Sequence, residues 1–185
     1  MKKYKTAVLV GSLRKESFNL KTAKALMEMA PETLSLELLP IGHLPLYNQD
    51  TDKAPPEEYR AFREQVRSYD AFLFLTPEYN RSVPAVLKNA IDVASRPYGQ
   101  NAWDGKPAAV ISVSISAIGG FGANHHLRQS LVFVNMPAMP QPEAYIGNAE
   151  ELFDKNGVLA SGSTREFLGS FMSAFEHWVQ AHVKK

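Results

Sequence analysis

The sequence predicts a doubly wound α/β fold, in which helices cover both faces of a parallel β-sheet. Three continuous apolar runs, residues 5–10, 71–75 and 108–113, lack the polar alternation of half-exposed strands. Such runs are typical of strands buried on both faces of a parallel sheet. Helical patterns lie between the runs, and this alternation favours right-handed βαβ units. With 185 residues, of which 45% are hydrophobic and 21% charged, the chain is predicted to form one domain over residues 1–185.

Two weaker segments complete the predicted sheet. Residues 34–39 follow the first helical pattern, and residues 143–146 form a short strand after a proline-rich stretch. Five strands in a chain of this length match the strand order 2-1-3-4-5 better than the larger six-stranded dinucleotide fold. We therefore expect a three-layer sandwich whose five-stranded parallel sheet has helices on both faces.

Five helices are predicted from the spacing of apolar residues. The first begins after Asn19, a good N-cap residue, and the second follows Pro55 and Pro56. The third and clearest helix follows Ser82 and carries Pro84 in its first turn, where proline costs no hydrogen bond. The apolar stripes are, in helix order, Leu20, Ala23, Met27 and Ala30; Tyr59, Phe62 and Val66; Val83, Val86, Leu87, Ala90, Ile91 and Ala94; Leu127, Leu131 and Val134; and Leu168, Phe171, Phe175 and Trp178.

Composition and charge exclude several classes of function. The chain has no cysteine, which excludes disulfides, thiolate metal sites and cysteine nucleophiles, so any electron transfer needs another carrier. Twenty basic and nineteen acidic residues give a net charge of +1, which predicts no nucleic-acid partner. The five histidines have no ligand spacing, so we predict no metal site and expect surface or interface histidines. The apolar run at residues 6–10 is too short for a secretory signal or a membrane span, which predicts a cytoplasmic protein.

Ligands of open α/β sheets bind outside the carboxyl ends of the strands, and this rule selects three loops. The first, residues 11–19 (GSLRKESFN), offers hydroxyl and amide donors, Arg14 and the free N–H groups of a helix start. These groups favour an anion such as a phosphate, although a capped helix start with an exposed arginine explains the segment equally well. The loop has neither the Gly-Lys-Ser/Thr ending of a P-loop nor the GxGxxG pattern of dinucleotide folds.

The second and third loops suit a flat ring. Residues 76–92 present a carboxylate, a phenol and an amide in one turn, an arrangement that can border a planar heterocycle. The alternative is a turn whose Tyr79 packs over the sheet edge. Residues 114–129 contain Gly119, Gly120 and Gly122, whose backbone a ring can approach closely. Taken alone, that segment is also explained as a flexible glycine loop.

Taken together, the strings GSLRKESFN, TPEYNRSVPAVLKNAIDVASRP and AIGGFGANHHLRQ resemble the NADPH-dependent FMN reductase family, in particular its chromate and quinone reductase branch. The resemblance extends over residues 5–183, and the PEYN-SxPxxLKNAID string is its most specific part. It implies the flavodoxin-like three-layer sandwich, non-covalently bound FMN, and assembly as a homodimer or homotetramer. The chain departs from that branch at residues 121–125, which replace a segment that often carries arginine and tyrosine and is associated with subunit contacts in some relatives.

The resemblance also implies a set of cofactor-binding residues and no catalytic side chain, because the chemistry takes place at N5 of the flavin. Glu78 is expected near N3–H or turned away, since a carboxylate beside N1 would oppose the negative charge of reduced flavin. The expected residues are Gly11, Ser12, Arg14, Ser17 and Asn19 for the phosphate; Pro77, Glu78, Tyr79 and Asn80 along the isoalloxazine; and Ser114, Ala117, Gly119 and Gly120 on its other side.

The implied activity is ping-pong hydride transfer from NADPH or NADH, through bound FMN, to a small acceptor. Quinones, chromate, free flavin and azo compounds all remain open as acceptors. Two alternatives are a flavodoxin-like electron carrier and a flavin-binding module without turnover; carriers are usually strongly acidic, unlike this chain. Tyr98 and Trp103 are expected either to form the wall of the acceptor pocket or to serve loop packing or a dimer contact. Met136 and Met139 are expected in the core, and Phe171, Phe175 and Trp178 are expected in the core or at a dimer surface.

Overall fold

Five parallel strands form one sheet of order β2-β1-β3-β4-β5 in the computed structural model, which describes residues 2–183. This confirms the predicted three-layer sandwich and its strand order. The strands are β1 (Tyr4–Val10), β2 (Leu34–Leu38), β3 (Ala71–Thr76), β4 (Ala108–Val113) and β5 (Ala144–Ile146). The helices are α1 (Phe18–Glu28), α2 (Glu57–Ser68), α3 (Ala85–Ala94), α4 (Phe121–Phe133) and α5 (Gly162–His182), with short 3-10 turns at Gln49–Thr51 and Ala149–Glu151.

The central strands are apolar on both faces because each face is covered by helices. In β3, Phe72 and Phe74 point into a core shared with α2, α3 and α4, whereas Leu73 and Leu75 point into a core shared with α1 and α5. All four side chains are fully buried. Alternation of polar and apolar residues is therefore absent from the sequence of this strand, as expected for a parallel sheet between two helical layers.

The predicted starts of two helices are wrong by one or two residues. Ser17, and not Asn19, is the N-cap of α1, and its hydroxyl accepts a hydrogen bond from the Leu20 N–H at 3.2 Å. Asn19 lies inside the first turn. Pro84 is the N-cap of α3 and not part of its first turn, because its extended backbone (ψ 146°) precedes the first helical residue, Ala85.

The apolar stripe of α1 is also shifted from its predicted position. The helix ends at Glu28, so Ala30 lies beyond it, and Met27 is only partly buried. The helix packs on β1, β3 and β4, and this packing selects a neighbouring face whose residues include hydroxyl and amide side chains. The buried residues are Asn19, Thr22, Ala23, Ala25 and Leu26.

Trp103 belongs to the core and not to a pocket wall. Its side chain is fully buried, and its ring lies 5.0 Å from the ring of Phe72, centroid to centroid, in an edge-to-face arrangement. The indole N–H donates to the Ile91 carbonyl at 3.0 Å. The packing alternative is therefore confirmed for Trp103. Tyr98, by contrast, is 91% exposed, and a role for it at the acceptor pocket stays a prediction.

The predicted core positions near the C-terminus are confirmed. Met136 and Met139 are buried, and Phe171 and Phe175 of α5 pack fully buried against the sheet. Trp178 is partly buried, with its indole N–H donating to the Pro137 carbonyl at 2.8 Å. Between residues 2 and 183, no helix combines the length and the apolar character that crossing a membrane requires.

Candidate functional site

The register of the sheet brings the three selected loops together at one edge. Val10 pairs with Leu75 and Thr76 pairs with Ser112, so β1, β3 and β4 end side by side. The Gly11 N–H donates to the Leu75 carbonyl at 2.8 Å. A Cβ atom at Gly11 would lie 3.0 Å from Pro84 Cγ and 3.2 Å from Pro77 Cδ. The missing side chain at position 11 therefore lets the first loop pack closely against the second.

The first loop, residues 11–19, carries several donors that are free to bind an anion. The backbone N–H groups of Phe18 and Asn19 begin α1 and have no acceptor in the part of the chain that the structure describes. Arg14 is exposed and forms no salt bridge within residues 2–183. A guanidinium and unpaired N–H groups at a helix start are the donors that a phosphate prefers.

The side chain of Asn19 is buried and already hydrogen-bonded, so it is not available to bind a phosphate. Its Nδ2 donates to the Val113 carbonyl at the end of β4, at 3.2 Å. Its Oδ1 is also enclosed and has no hydrogen-bond partner within residues 2–183. The amide therefore ties α1 to β4, and Asn19 can reach a phosphate only through its backbone N–H.

The second loop contains a tight turn that we call the ring turn, residues 77–82. Tyr79 and Ser82 exchange backbone hydrogen bonds of 3.1 and 3.0 Å, which close the turn. Between them Asn80 and Arg81 have φ angles of +51° and +64°. Asparagine tolerates this left-handed region, whereas arginine does not favour it and costs on the order of 1 kcal/mol there. The turn is therefore strained and has to be held by its surroundings.

The side chains of the ring turn are anchored on α4. Glu78 Oε2 accepts from the Ala123 N–H at 3.1 Å, and Glu78 Oε1 accepts from Arg81 Nη1 at 3.1 Å. Ser82 Oγ and His126 Nδ1 share a hydrogen bond of 3.0 Å. The Glu78 carboxylate is thus turned toward the start of α4.

The third loop ends in two glycines that no other residue can replace without strain. Gly119 and Gly120 have φ angles of +66° and +75°. A Cβ at Gly119 would lie 2.6 Å from the carbonyl carbon of Tyr145, and one at Gly120 would lie 3.1 Å from Ser112 Cβ. Helix α4 begins at Phe121, so the loop is shorter than the predicted segment 114–129. Ser114 Oγ accepts from the backbone N–H two residues later, at 3.1 Å, which closes the start of the loop.

Large apolar side chains are exposed around the same edge. Each belongs to one of the three loops or to the first residue of α4, and each is at least about half exposed. They are Leu13, Tyr79, Ile115, Ile118 and Phe121. Phosphate donors and exposed apolar side chains at the same sheet edge suit a ligand that joins a phosphate to a flat ring.

Several residues that hold these loops were not predicted from the sequence. Asn124 is fully buried and donates from Nδ2 to Ser112 Oγ at 3.3 Å and to the Ala144 carbonyl at 3.2 Å. Its Oδ1 accepts from Arg128 Nε at 2.8 Å. Ser82 and His126 were missed in the same way. For Asn124 the signal in the sequence was a polar side chain on the buried face of α4, whereas Ser82 and the exposed His126 carried no such signal.

The segment that departs from the chromate and quinone reductase branch forms an aromatic cluster. Phe121, His125 and Tyr145 pack together, and His125 Nε2 lies 2.8 Å from the Tyr145 hydroxyl. Burial, reinforced by the Glu143 carboxylate, raises the pKa of Tyr145 to about 12. The phenol therefore stays protonated at neutral pH.

Residues 4–151 match the sequence profile of the NADPH-dependent FMN reductases. The chain belongs to this family. Among NADPH-dependent FMN reductases and their relatives, a quinone reductase of Pseudomonas putida is 62% identical over 178 residues, 96% of this chain and 95% of the relative. A 2-hydroxy-1,4-benzoquinone reductase of Burkholderia sp is 49% identical over 176 residues, 95% of this chain and 96% of the relative.

A solved structure agrees with this membership of the NADPH-dependent FMN reductase family. The flavoenzyme NAD(P)H:(acceptor) oxidoreductase FerB from Paracoccus denitrificans superposes with a TM-score of 0.90 at 45% identity, over 97% of this chain and 98% of that chain. The resemblance predicted from the sequence motifs is thereby confirmed. FMN is the cofactor and NAD(P)H the reductant of this FMN reductase.

The residues at the sheet edge fit an FMN molecule. Arg14 and the free N–H groups of Phe18 and Asn19 supply positive and donor character for a dianionic phosphate. Gly119 and Gly120 are buried, and their positive φ angles let the third loop turn closely against β5 and β4 at this edge. No cofactor atom needs a side-chain acid from these loops, because hydride chemistry is a property of the flavin itself.

Proposed function

We propose that this FMN reductase family member is an NAD(P)H:quinone oxidoreductase. The observation that carries the proposal is the meeting of three loops at one sheet edge, which together present phosphate donors and exposed apolar side chains. The quinone reductases that are 62% and 49% identical to the chain support this choice of acceptor. Chromate, free flavin and azo compounds are further candidates, because an open apolar edge selects weakly among flat or small oxidants.

The chain's own residues bind and orient in this proposal, and they supply no covalent step. FMN held by these loops would supply the redox chemistry, which we propose runs in ping-pong order from NAD(P)H to the acceptor. The residues proposed to hold FMN through its phosphate are Gly11, Ser12, Arg14, Ser17 and Asn19. The residues proposed to border the ring are Pro77, Glu78, Tyr79, Asn80, Ser114, Ala117, Gly119 and Gly120.

The direct test is steady-state turnover of the FMN-loaded protein with NADPH and with NADH. We expect oxidation of the nicotinamide with a benzoquinone acceptor and parallel double-reciprocal lines, which indicate ping-pong order. Chromate, riboflavin and an azo dye complete the acceptor panel. A holoprotein that oxidises neither nicotinamide with any acceptor would instead be an electron carrier or a binding module.

Replacing Arg14 by alanine is expected to weaken FMN binding roughly 10- to 100-fold. This is the loss expected when a charge-assisted hydrogen bond of about 1.5–3 kcal/mol to the phosphate is removed. Fluorescence titration of the apoprotein measures the FMN dissociation constant. The same titration with riboflavin, which lacks the phosphate, shows whether the lost affinity comes from phosphate binding or from ring binding. Riboflavin binding should not change.

The control for this prediction is Arg67→Ala, which removes an arginine at the end of α2, at the opposite edge of the sheet. It should leave both dissociation constants unchanged. Equal weakening of FMN and riboflavin by Arg14→Ala would contradict a contact between Arg14 and the phosphate.

We further propose that the chain forms a homodimer through a groove between α3 and α4. The groove has a volume of about 720 Å³ and is lined by side chains from both helices and from the ring turn. Val132 and Phe133 line it while remaining 74% and 91% exposed. In a twofold interface the same patch meets itself, so Phe133 of each copy can enter the groove of the other. Burial of this apolar surface supplies the driving force.

The expected result of Phe133→Lys is a monomer. Placing a charge in a buried interface costs several kcal/mol, more than a contact of this kind can offset. Light scattering coupled to size exclusion measures the mass. Val158→Lys is the control, because Val158 is exposed on the α1 and α5 side of the sheet. A Phe133→Lys variant that keeps the mass of the wild type would place the interface elsewhere, and a wild-type mass of four chains would indicate the homotetramer.

A further inference from the structure

The ring turn keeps a conformation that its own sequence disfavours. Asn80 and Arg81 both occupy the left-handed region, at φ +51° and +64°. A strained backbone of this kind persists only where neighbouring contacts fix it, and such strain is found at ligand-binding segments. The contacts that fix this turn are therefore relevant to the ligand that it borders.

The strongest of these contacts comes from Glu78. Its side chain is only 11% exposed, and its Oε2 accepts from the Ala123 N–H at 3.1 Å. Ala123 is the third residue of α4, so its N–H is one of those that a helix cannot pair internally. The N-cap of α4 is Gly120, which has no side chain to accept that hydrogen bond. Glu78 performs this capping from a different loop.

The surroundings of the carboxylate match this capping role. A negative charge is favourable at the start of a helix, and Arg81 Nη1 lies 3.1 Å from Glu78 Oε1. Both oxygens are thus engaged on the side of α4 and of the turn itself. A Cβ at Gly122 would lie 3.0 Å from Glu78 Oε2 and 2.9 Å from the Arg81 carbonyl oxygen, so the missing side chain at Gly122 leaves room for the contact.

A second tether joins the far end of the turn to the same helix. Ser82 Oγ and His126 Nδ1 are 3.0 Å apart, and His126 lies one helical turn beyond Ala123. The two ends of the strained turn are therefore both tied to α4, at positions three residues apart along the helix.

We propose that Glu78 is a positioning residue, which locks the strained ring turn to α4 and so presents the turn's backbone to the isoalloxazine, with His126 as the second tether. Glu78 acts through geometry, and its charge is directed at α4 and Arg81. This inference rests on the proposed placement of FMN at this edge of the sheet. Without the tethers, only a fraction of the molecules has the competent turn, and the apparent FMN affinity is the intrinsic affinity multiplied by that fraction.

The test compares Glu78→Ala with Glu78→Gln, because glutamine keeps an oxygen that can accept from the Ala123 N–H but carries no charge. In the apoprotein, hydrogen exchange of the Ala123 amide should be roughly fivefold faster in Glu78→Ala and nearly unchanged in Glu78→Gln, as expected for the loss of a helix cap. FMN titration should show binding that is roughly five- to tenfold weaker in Glu78→Ala and largely retained in Glu78→Gln. The reduction potential of bound FMN should be the same in Glu78→Gln and the wild type.

Glu57→Ala is the matched control, since Glu57 also pairs with an arginine three residues later, at the exposed start of α2. It should change none of the three measurements. His126→Ala and His126→Asn form a second pair on the helix surface, in which asparagine can restore the partner of Ser82 and recover the affinity that alanine loses.

Three results would overturn the positioning role. They are equal losses of FMN affinity in Glu78→Ala and Glu78→Gln, a shifted flavin potential in Glu78→Gln, and full protection of the Ala123 amide in Glu78→Ala. The first two would mean that the charge acts directly on the flavin. A wild-type apoprotein that takes up no FMN would overturn the proposed function together with this inference, so the two failures are distinguishable.

Discussion

Alanine at position 119 is expected to lower FMN affinity at least about tenfold and to destabilise the apoprotein by about 3 kcal/mol. The φ angle of Gly119 is +66°, a region in which a side chain costs about 1–3 kcal/mol. The new Cβ would also lie 2.6 Å from the Tyr145 carbonyl carbon and 2.8 Å from its oxygen. Both atoms belong to the backbone of β5 and cannot rotate away, so the loop has to move. Movement of this loop changes the backbone that borders the proposed ring.

The variant Gly99→Ala separates the backbone strain from the contact with Tyr145 as causes of the lost stability. Gly99 has a φ angle of +81°, similar to that of Gly119, but a Cβ there would meet nothing within 4 Å. This variant carries the backbone strain alone and should lose about 1 kcal/mol, or roughly 2–4 °C in melting temperature for a chain of this size. Thermal unfolding and FMN titration of both variants give the comparison. Equal effects of the two substitutions would mean that the contact with Tyr145 is relieved at no cost.

The strands and their order could be predicted because burial on both faces leaves a direct trace in the sequence. In β3 every residue from Ala71 to Leu75 is apolar, and the structure buries all of them. The start of α1 could not be predicted in the same way, because it depends on which of two neighbouring polar residues acts as the N-cap. Ser17 and Asn19 are both good N-cap residues, and the preference of Asn19 for the Val113 carbonyl decided between them.

The loops of the site could be predicted from the strand order, but the residues that hold them could not. Gly11 and Gly120 stand out in the sequence because glycine allows close packing. Glu78 was recognised as a carboxylate near the ring, whereas its partner is the backbone of Ala123, 45 residues away. Contacts between a side chain and a distant backbone leave no periodic signal, so only the folded structure shows which way the carboxylate points.

Trp103→Ala is expected to be the most destabilising of these substitutions, with a loss of about 3–5 kcal/mol in the free energy of unfolding. The indole is fully buried among Phe62, Phe72 and Phe74. Its removal leaves a cavity in the core on the α2 and α3 side of the sheet, where the surrounding rings are held by their own packing. For a chain of this size the melting temperature should fall by about 10 °C. Urea unfolding should show a lower midpoint with an unchanged slope.

Trp103→Phe distinguishes packing from a role in acceptor binding, because it keeps an aromatic ring and loses the indole N–H. That hydrogen bond contributes little on its own, since the Ile91 carbonyl also accepts from the Ser95 N–H at 3.1 Å and stays paired. We expect a loss of about 1–2 kcal/mol, most of it from reduced packing. The KM of Trp103→Phe for quinone should equal that of the wild type. The variant Tyr98→Phe, which keeps the aromatic ring, should also have the KM of the wild type. A Trp103→Phe variant with wild-type stability and an altered KM would mean that Trp103 forms part of the acceptor pocket. A buried aromatic residue can influence acceptor binding only through the position of the loops that it supports. Loss of that support should therefore lower the free energy of unfolding before it changes the KM.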